Sequence, residues 1–276
     1  MKRISILGAG WLGGLLALHL QEKGHQLKVS TTTAAKLDSF RQQGLDAVLY
    51  RTSDTEGTAA LAHLLQDTDI LIITVPPGRS QQDAGVHYAA QITSLIPHIE
   101  QAGIPELIFT SSTTVYLSLK GEVNEDTPIE PVSDMDRQIF DIEQVLLSHP
   151  SFNATILRLG ALIGGERHPV RYIVQRPEVT EANNPVNMIH RDDIIRFMDR
   201  IVAAAVPNEI FNVVAPILQD RRSFYTQEAQ QLGLSPLPLF TDNPHGDQRR
   251  VIGDKIAQRY GIEYEWLGTG VHPSDQ

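Results

Sequence analysis

Short apolar runs alternate with segments of helical spacing over the first 160 residues of the chain. The apolar runs predict strands at residues 3–7, 26–30, 47–50, 70–75, 106–110 and 154–159. The segments between them predict helices from residue 13 to about 23 and at 35–43, 58–66, 82–101 and 135–147. Strands that are apolar throughout and separated by helices are typical of a parallel sheet covered on both faces. The pattern therefore predicts an α/β fold with a doubly wound parallel sheet (Rossmann), which binds its ligand at the carboxyl ends of the strands.

The alternation ends after Gly160. Residues 164–187 are rich in Gly, Pro, Arg and Asn and predict a long loop. The rest of the chain predicts helices at 192–205, 223–232 and 254–260 and a strand at 210–214. We interpret the C-terminal part as a small lobe on the substrate side. The predicted domains are 1–165 plus 186–215, the dinucleotide-binding Rossmann domain, and 166–185 plus 216–276, the small lobe.

The turn after the first predicted strand contains the motif Gly8-x-Gly10-x-x-Gly13. In such a motif the first glycine makes a tight turn, the second lets the backbone approach a pyrophosphate, and the third lets the helix pack against the strand. The free N–H groups and the dipole of the helix N-terminus favour an anion. Because the motif lies between a strand and a helix, it predicts a dinucleotide site formed by these glycines with Trp11 and Leu12. The alternative is a glycine-rich turn that only packs.

The end of the second predicted strand carries hydroxyl groups in place of a carboxylate. Sites that prefer NAD have an acidic residue here, which binds the ribose 2′-OH. This chain has Ser30, Thr31, Thr32 and Thr33, and Lys36 is the first charged residue after them. Hydroxyls with a nearby ammonium are suited to bind a 2′-phosphate. We therefore expect NADP as the cofactor, with NAD as the alternative, and the threonines are equally suited to cap the next helix.

A third segment is expected to border the cofactor. Thr74, Val75 and Pro76 come directly after the fourth predicted strand. Residues that leave such strands at their carboxyl ends line the ligand crevice of a doubly wound sheet. Arg79, just beyond, is a weaker candidate for a phosphate contact, and we expect it at the surface.

Composition and charge narrow the class of protein. The chain has 276 residues, of which 41% are apolar and 20% charged, and it has no cysteine. These fractions are typical of a soluble globular protein, and the missing cysteines exclude disulfides and thiolate metal sites. We see no membrane span and no signal peptide, so we expect a cytoplasmic protein. A net charge of −10 disfavours nucleic-acid binding. The expected partner is a small-molecule substrate, with no nucleic acid or membrane, and the oligomeric state is open.

Four later motifs carry a resemblance to a known family. They are FTSSTTVY at 109–116, LRLGALIG at 157–164, NMIHRDDI at 187–194 and IFNV at 210–213. In this order they resemble the extended short-chain dehydrogenases/reductases, the superfamily of NAD-dependent epimerases and dehydratases. The chain also resembles an atypical, YeeZ-like bacterial branch of this superfamily. The resemblance implies an NAD(P)-dependent oxidoreductase or epimerase that acts on a small carbonyl compound or a nucleotide sugar.

The resemblance also implies catalytic residues, of which this chain keeps one. In working members a Ser or Thr holds the substrate oxygen, a Tyr transfers the proton, and a Lys four residues later lowers the pKa of the Tyr. The Ser carries over onto Ser112. The Tyr and Lys positions fall at Met135 and Ile139, which with Ile142 and Leu146 form the apolar face of a packed helix. The alternative function is therefore an NAD(P)-binding sensor or partner subunit without ordinary dehydrogenase activity.

Other residues carry weaker signals. Tyr116 and Lys120 have the Tyr-x-x-x-Lys spacing, although we expect a loop there; they are either a displaced acid/base pair or simple packing and surface residues. Arg167 is a candidate for binding a substrate anion. Asp134, Asp136 and Asp141 are alternative carboxylate acids or bases, although a solvated helix face is favoured. The segment 190–193, HRDD, is interpreted as a helix start capped by its aspartates, and no metal site is predicted.

Overall fold

A computed structural model describes residues 1–51, 58–77, 88–244, 246 and 248–268. Its strands are β1 Arg3–Leu7, β2 Gln26–Thr31, β3 Asp46–Leu49, β4 Ile70–Ile73, β5 Glu106–Ser112, β6 Glu122–Val123, β7 Asn153–Leu159, β8 Ala161–Ile163, β9 Glu178–Val179, β10 Met188–His190, β11 Glu209–Val213, β12 Leu239–Phe240 and β13 Arg250–Val251. Its helices are α1 Gly13–Glu22, α2 Ala34–Gln42, α3 Thr58–Leu65, α4 Tyr88–Thr93, α5 Ile96–Ala102, α6 Asp134–Leu147, α7 Val170–Ile173, α8 Arg191–Ala203, α9 Arg221–Gln231 and α10 Asp254–Tyr260. A 3₁₀ helix spans Thr113–Tyr116.

Seven of these strands form one parallel sheet in the order β3-β2-β1-β4-β5-β7-β11. The chain starts in the middle, moves outward through β2 and β3, and then returns to continue on the other side of β1. This is the strand order of a doubly wound fold, in which the order reverses next to β1. The predicted fold class is confirmed. Strands β1 and β4 are buried almost completely, because helices cover both faces of the sheet.

Most predicted elements are present with ends that differ by at most two residues. The long helix predicted at 82–101 differs more. The structure has two helices, α4 and α5, separated at residues 94 and 95, and Pro97 lies in the first turn of α5. Proline is favoured at a helix start because its missing N–H is not needed there. Residues 82–87 of the predicted helix, and Arg79, lie outside the described residues.

The predicted long loop at 164–187 contains helix α7 and strand β9, and further short strands lie elsewhere in the chain. Hydrophobic periodicity does not reveal these short elements. Strand β8 pairs with β10, β9 pairs with β12, and β13 pairs with β6, each in parallel. Two of these pairs are only two residues long. A run of two residues is too short to show the alternation that identifies a strand.

The described chain forms two compact units. Unit 1 consists of Met1–Ser111, Val132–Leu157 and Asp199–Ile210, and unit 2 consists of Ser112–Pro131, Arg158–Met198 and Phe211–Gln276. Both segments predicted for the small lobe, 166–185 and 216–276, fall within unit 2. Unit 2 also contains 112–131, 158–165, 186–198 and 211–215, which belong to the predicted Rossmann domain. Among the described residues, no helix is long and apolar enough to cross a bilayer.

Candidate functional site

The glycine turn of unit 1 is held by the end of β2. Gly8 has a φ angle of +101°, which glycine adopts without the strain that a Cβ atom would cause. Its N–H group donates to Ser30 Oγ at 3.0 Å, and the N–H of Ala9 donates to the Ser30 carbonyl at 2.7 Å. Ser30 is 2% exposed. Its hydroxyl therefore supports the turn from inside.

Helix α1 approaches the sheet most closely at Gly13. The Thr74 hydroxyl donates to the Gly8 carbonyl at 2.7 Å, which ties the end of β4 to the turn. A Cβ atom on Gly13 would lie 2.6 Å from both Gly8 O and Thr74 Oγ1. Contacts of that length do not occur in real structures, so only glycine permits this packing.

Gly10, unlike Gly13, has no atoms of the described residues packed against the position that a side chain would occupy, so there is open space beside it. The nearest atom to a Cβ built there is the Gly8 carbonyl oxygen, at 3.8 Å. Helix α1 has no side-chain N-cap, and among the described residues the N–H groups of Leu12 and Gly13 have no hydrogen-bond acceptor. Open space at the start of a helix whose first N–H groups have no acceptor suits a pyrophosphate. The residues present therefore fit a bound dinucleotide.

The remaining residues predicted near the cofactor lie around the same turn. A Cβ on Gly8 would come within 3.0 Å of Val75 Cγ2, so Val75 packs against the turn. The Tyr88 hydroxyl donates to the Val75 carbonyl at 2.9 Å and holds the chain as it leaves β4. Trp11 and Val75 are half-buried and Pro76 is exposed.

The hydroxyl groups at the end of β2 differ in burial. Thr31 is buried, and its Oγ1 accepts the N–H of Thr33 at 3.4 Å. Thr32 and Lys36 are exposed. Because Ser30 supports the turn and Thr31 is buried, the predicted phosphate ligands that are exposed are Thr32, Thr33 and Lys36. Sequence reasoning did not find Arg51, whose Nη2 donates to the Thr32 carbonyl at 2.9 Å.

In unit 2, Ser112 is the last residue of β5 and the N-cap of the 3₁₀ helix that follows. Its Oγ accepts the N–H of Thr114 at 3.2 Å and caps this helix. An acceptor role leaves the hydroxyl proton of Ser112 available for donation. Ser112 is half-buried, and Thr114 Oγ1 is buried without a hydrogen-bond partner among the described residues.

Tyr116 ends the same 3₁₀ helix and is fully buried, with 0% exposure. Its hydroxyl accepts from Arg158 Nη1 at 2.7 Å, and it lies 2.9 Å from Asn212 Oδ1 and 3.0 Å from the Asn124 carbonyl oxygen. The Arg158 guanidinium lies 5.0 Å from the centre of the Tyr116 ring. Burial raises the pKa of the phenol, although Arg158 opposes this effect. Tyr116 is thus a neutral member of a buried polar cluster.

The cluster continues to Glu125. The Asn212 N–H donates to Glu125 Oε1 at 2.7 Å, and Asn212 Nδ2 donates to the Ile252 carbonyl at 3.0 Å. Burial raises the pKa of the Glu125 carboxyl, and the hydrogen bond from Asn212 lowers it. A charged Arg in an apolar strand such as LRL at 157–159 was the available sequence signal, because such a residue needs buried partners.

Lys120 does not join Tyr116. It is exposed on a segment that is neither 3₁₀ nor α-helical, so the spacing of four does not bring the two side chains together on a helix face. The phenol has Arg158 as its cationic neighbour instead. Arg167 is exposed on a turn closed by paired backbone hydrogen bonds with Gly164, at 3.0 and 3.1 Å.

Helix α6 has the predicted packing face but also buried carboxylates. Ile139, which occupies the family's Lys position, is buried, as are Ile142 and Leu146. Glu143 is fully buried and accepts from Ser111 Oγ. Asp136 is 1% exposed, and neither carboxylate oxygen has a hydrogen-bond partner among the described residues. The expected solvated face was therefore wrong for Asp136, because the hydrophobic pattern does not show that the first turn packs inward. Asp134 and Asp141 are exposed.

Two further features of unit 2 concern residues near the HRDD segment and α9. Helix α8 begins at Arg191 as interpreted, but the Asp193 carboxylate accepts the N–H groups of Glu265 and Trp266 at 2.9 and 3.0 Å. His168 Nε2 lies 3.0 Å from Glu228 Oε2, a pair that sequence reasoning missed because the residues are 60 positions apart.

The described residues contain no group of three or more His, Asp or Glu side chains suited to a metal ion.

Comparison with known proteins places these observations in a family context. Residues 8–205 match the NAD(P)H-binding family. The chain is 34% identical over 279 aligned positions to protein YeeZ of Escherichia coli K12, and the alignment covers 99% of each chain.

Solved structures share the fold. A putative NAD-dependent epimerase/dehydratase from Methylobacillus flagellatus is 20% identical with a TM-score of 0.73, and the match covers 96% of this chain and 94% of that one. The Bordetella bronchiseptica enzyme WbmG, solved in complex with NAD, is 16% identical with a TM-score of 0.78, covering 96% and 89%. The resemblance based on the sequence motifs is confirmed.

The glycines at positions 10 and 13 are expected to fail in different ways when replaced by alanine. Gly13→Ala forces a Cβ against two oxygens, so we expect destabilisation of about 1–3 kcal/mol. Gly10→Ala places a methyl group in open space, so we expect an unchanged melting temperature and lost dinucleotide binding. Thermal unfolding and NADPH fluorescence titration measure the two effects. Unchanged binding in Gly10→Ala would contradict the assignment of this turn to the pyrophosphate.

Tyr116→Phe tests the buried cluster. The variant removes one hydrogen-bond acceptor of the buried Arg158 guanidinium, so we expect a loss of about 1–3 kcal/mol in the free energy of unfolding. The exposed Lys120→Ala variant is expected to stay within about 0.5 kcal/mol of the wild type. Chemical denaturation measures both. A Tyr116→Phe variant with wild-type stability would show that the phenol does not hold the cluster.

Proposed function

The chain belongs to the NAD(P)H-binding family, and on this premise we propose that it is an NAD(P)-dependent oxidoreductase or epimerase-like enzyme. The proposed substrate is a small carbonyl compound or a nucleotide sugar. The observation that carries this proposal is the hydroxyl of Ser112, held at the end of β5 with its proton available. A sensor protein would need no such group.

The proposed roles of the chain's own residues follow from their surroundings. The N–H groups at the start of α1 bind the diphosphate of the dinucleotide, and Gly10 leaves the space for it. The bound nicotinamide supplies the hydride acceptor or donor. Ser112 Oγ–H donates a hydrogen bond to the substrate oxygen, where negative charge develops as a carbonyl is reduced.

Proton transfer differs from that of the family's Tyr–Lys enzymes. Ile139 is buried at the Lys position and Met135 occupies the Tyr position, so α6 provides neither group. The Tyr116 phenol is engaged with Arg158 and Asn212. We therefore propose that Ser112 is the hydroxyl that contacts the reacting oxygen, and that the proton comes from a donor other than a tyrosine of α6.

We propose NADP rather than NAD as the dinucleotide. Strand β2 ends without a carboxylate, the first turn of α2 has no acidic residue, and Thr32 and Lys36 are exposed at this position. An acidic side chain here would bind the 2′-OH of NAD and repel the 2′-phosphate of NADP. The positive charge of Lys36 instead attracts the 2′-phosphate of NADP.

Ser112→Ala is the test of the enzymatic role. Carbonyl compounds and nucleotide sugars are screened with NADPH and NADH by loss of absorbance at the nicotinamide band. With a substrate found, Ser112→Ala is expected to lower kcat/KM by about 100-fold, because a donor to the developing oxyanion is lost. Cofactor binding is expected to remain.

Ser118→Ala is the matched control, since among the described residues Ser118 Oγ makes one hydrogen bond, which it donates to the Glu130 carbonyl at 3.0 Å. Full activity in Ser112→Ala would overturn the role of Ser112. Tight cofactor binding without turnover of any substrate class would favour the sensor or partner subunit instead.

Thr32→Asp tests the cofactor preference. The new carboxylate is expected to repel the 2′-phosphate and accept the 2′-OH, so NADPH binding should weaken by about 10–100-fold relative to NADH. Fluorescence titration of both nucleotides measures the ratio. A wild-type chain that prefers NADH would contradict the proposal.

A further inference from the structure

Arg51 lies directly beside the end of β2, although it follows β3 in the chain. Strands β2 and β3 are parallel, with Thr31 opposite Leu49, so their carboxyl ends coincide. The N–H of Tyr50 donates to the Thr31 carbonyl at 3.0 Å and continues the pairing by one residue. Arg51 Nη2 then donates to the Thr32 carbonyl at 2.9 Å. The guanidinium is thus placed by backbone register.

Among the described residues, the charged side chains at this strand end are cationic. Arg51, Thr32 and Lys36 are all exposed. The hydroxyls of Ser30 and Thr31 face inward, where they accept backbone N–H groups. Since α2 has no acidic residue in its first turn, the exposed charged residues that the structure describes at the end of β2, the start of α2 and the end of β3 are Arg51 and Lys36.

We propose that Arg51, together with Lys36, forms the binding site for a phosphomonoester, the 2′-phosphate of NADP(H). This inference rests on the proposed function, which puts a dinucleotide at the turn of Gly8–Gly13. It adds a residue from β3 that the end of β2 alone does not supply.

The chemistry of the guanidinium suits this ligand. A guanidinium has five donors in a rigid fork that matches phosphate oxygens, and the bond to the Thr32 carbonyl uses one of its NH₂ groups. That bond also holds the side chain at the strand end before a ligand binds, which reduces the entropy lost on binding. The 2′-phosphate carries close to two negative charges at neutral pH, which Arg51 and Lys36 balance.

The test compares two ligands that differ only in the phosphate. Calorimetric titration of the full chain with 2′,5′-ADP and with 5′-ADP gives the contribution of the 2′-phosphate to binding. Arg51→Ala is expected to weaken 2′,5′-ADP binding by about 10–100-fold, because charge-assisted hydrogen bonds are lost, and to change 5′-ADP binding by less than about twofold. Arg51→Lys, which keeps the charge but not the fork, is expected to fall between the wild type and Arg51→Ala.

Arg41→Ala is the matched control. Arg41 is an exposed arginine of α2 whose guanidinium donates to the Ala47 carbonyl of β3 at 3.1 Å, so the variant removes the same charge and the same kind of bond. Its 2′,5′-ADP affinity is expected to stay within about twofold of the wild type.

Each other outcome decides against the inference. Equal weakening of both ligands in Arg51→Ala, or an equal loss in Arg41→Ala, would show an effect on the fold or on net charge rather than on the phosphate. Equal wild-type affinity for both ligands would overturn the phosphate site and leave dinucleotide binding intact. Binding of neither ligand would overturn both this inference and the proposed function.

Discussion

The contact between Gly13 and the Gly8 carbonyl is the constraint on which the candidate cofactor site depends. A side chain at position 13 would meet the Gly8 carbonyl and the Thr74 hydroxyl at 2.6 Å, so α1 can lie this close to β1 and β4 only with glycine there. The Thr74 hydroxyl donates to the same carbonyl, and Ser30 holds the Gly8 N–H. Three strands therefore meet at one turn, which lies beside the open space at Gly10 and the start of α1. The packing of this turn and its binding capacity have the same origin.

In unit 2 the main constraint is a buried positive charge, that of Arg158. Arg158 is buried in β7, and a buried guanidinium is tolerated only with hydrogen-bond partners. Tyr116 is one of them, and through Asn212 the cluster extends to Glu125. The spacing of Tyr116 and Lys120 in the sequence made the Tyr116 phenol a candidate for proton transfer. In the structure this phenol instead stabilises the buried charge of Arg158. Its raised pKa, caused first by burial, keeps it neutral and suited to that role.

Much of the fold could be predicted from the sequence because its signals are long and local. The apolar strands and the amphipathic α6 and α8 extend over enough residues to show their period. The short strands β6, β9, β12 and β13 have two residues each and show none. Asp136 illustrates the same limit inside a helix, since its burial depends on what packs against the first turn of α6 and not on its own spacing.

The features of the candidate site also separate into those that local sequence predicts and those that depend on tertiary contacts. The sequence by itself determined the glycine turn, the position of Ser112 and the absence of Tyr and Lys from α6, because each depends on residue types at fixed local spacing. Only the tertiary structure decided that the hydroxyls of Ser30 and Thr31 face inward. It also decided that the Tyr116 phenol contacts Arg158 and not Lys120, and that the Arg51 guanidinium donates to the Thr32 carbonyl. These contacts join residues of different strands and turns, and strand register and burial, which arise only when the whole sheet forms, determine which of them meet.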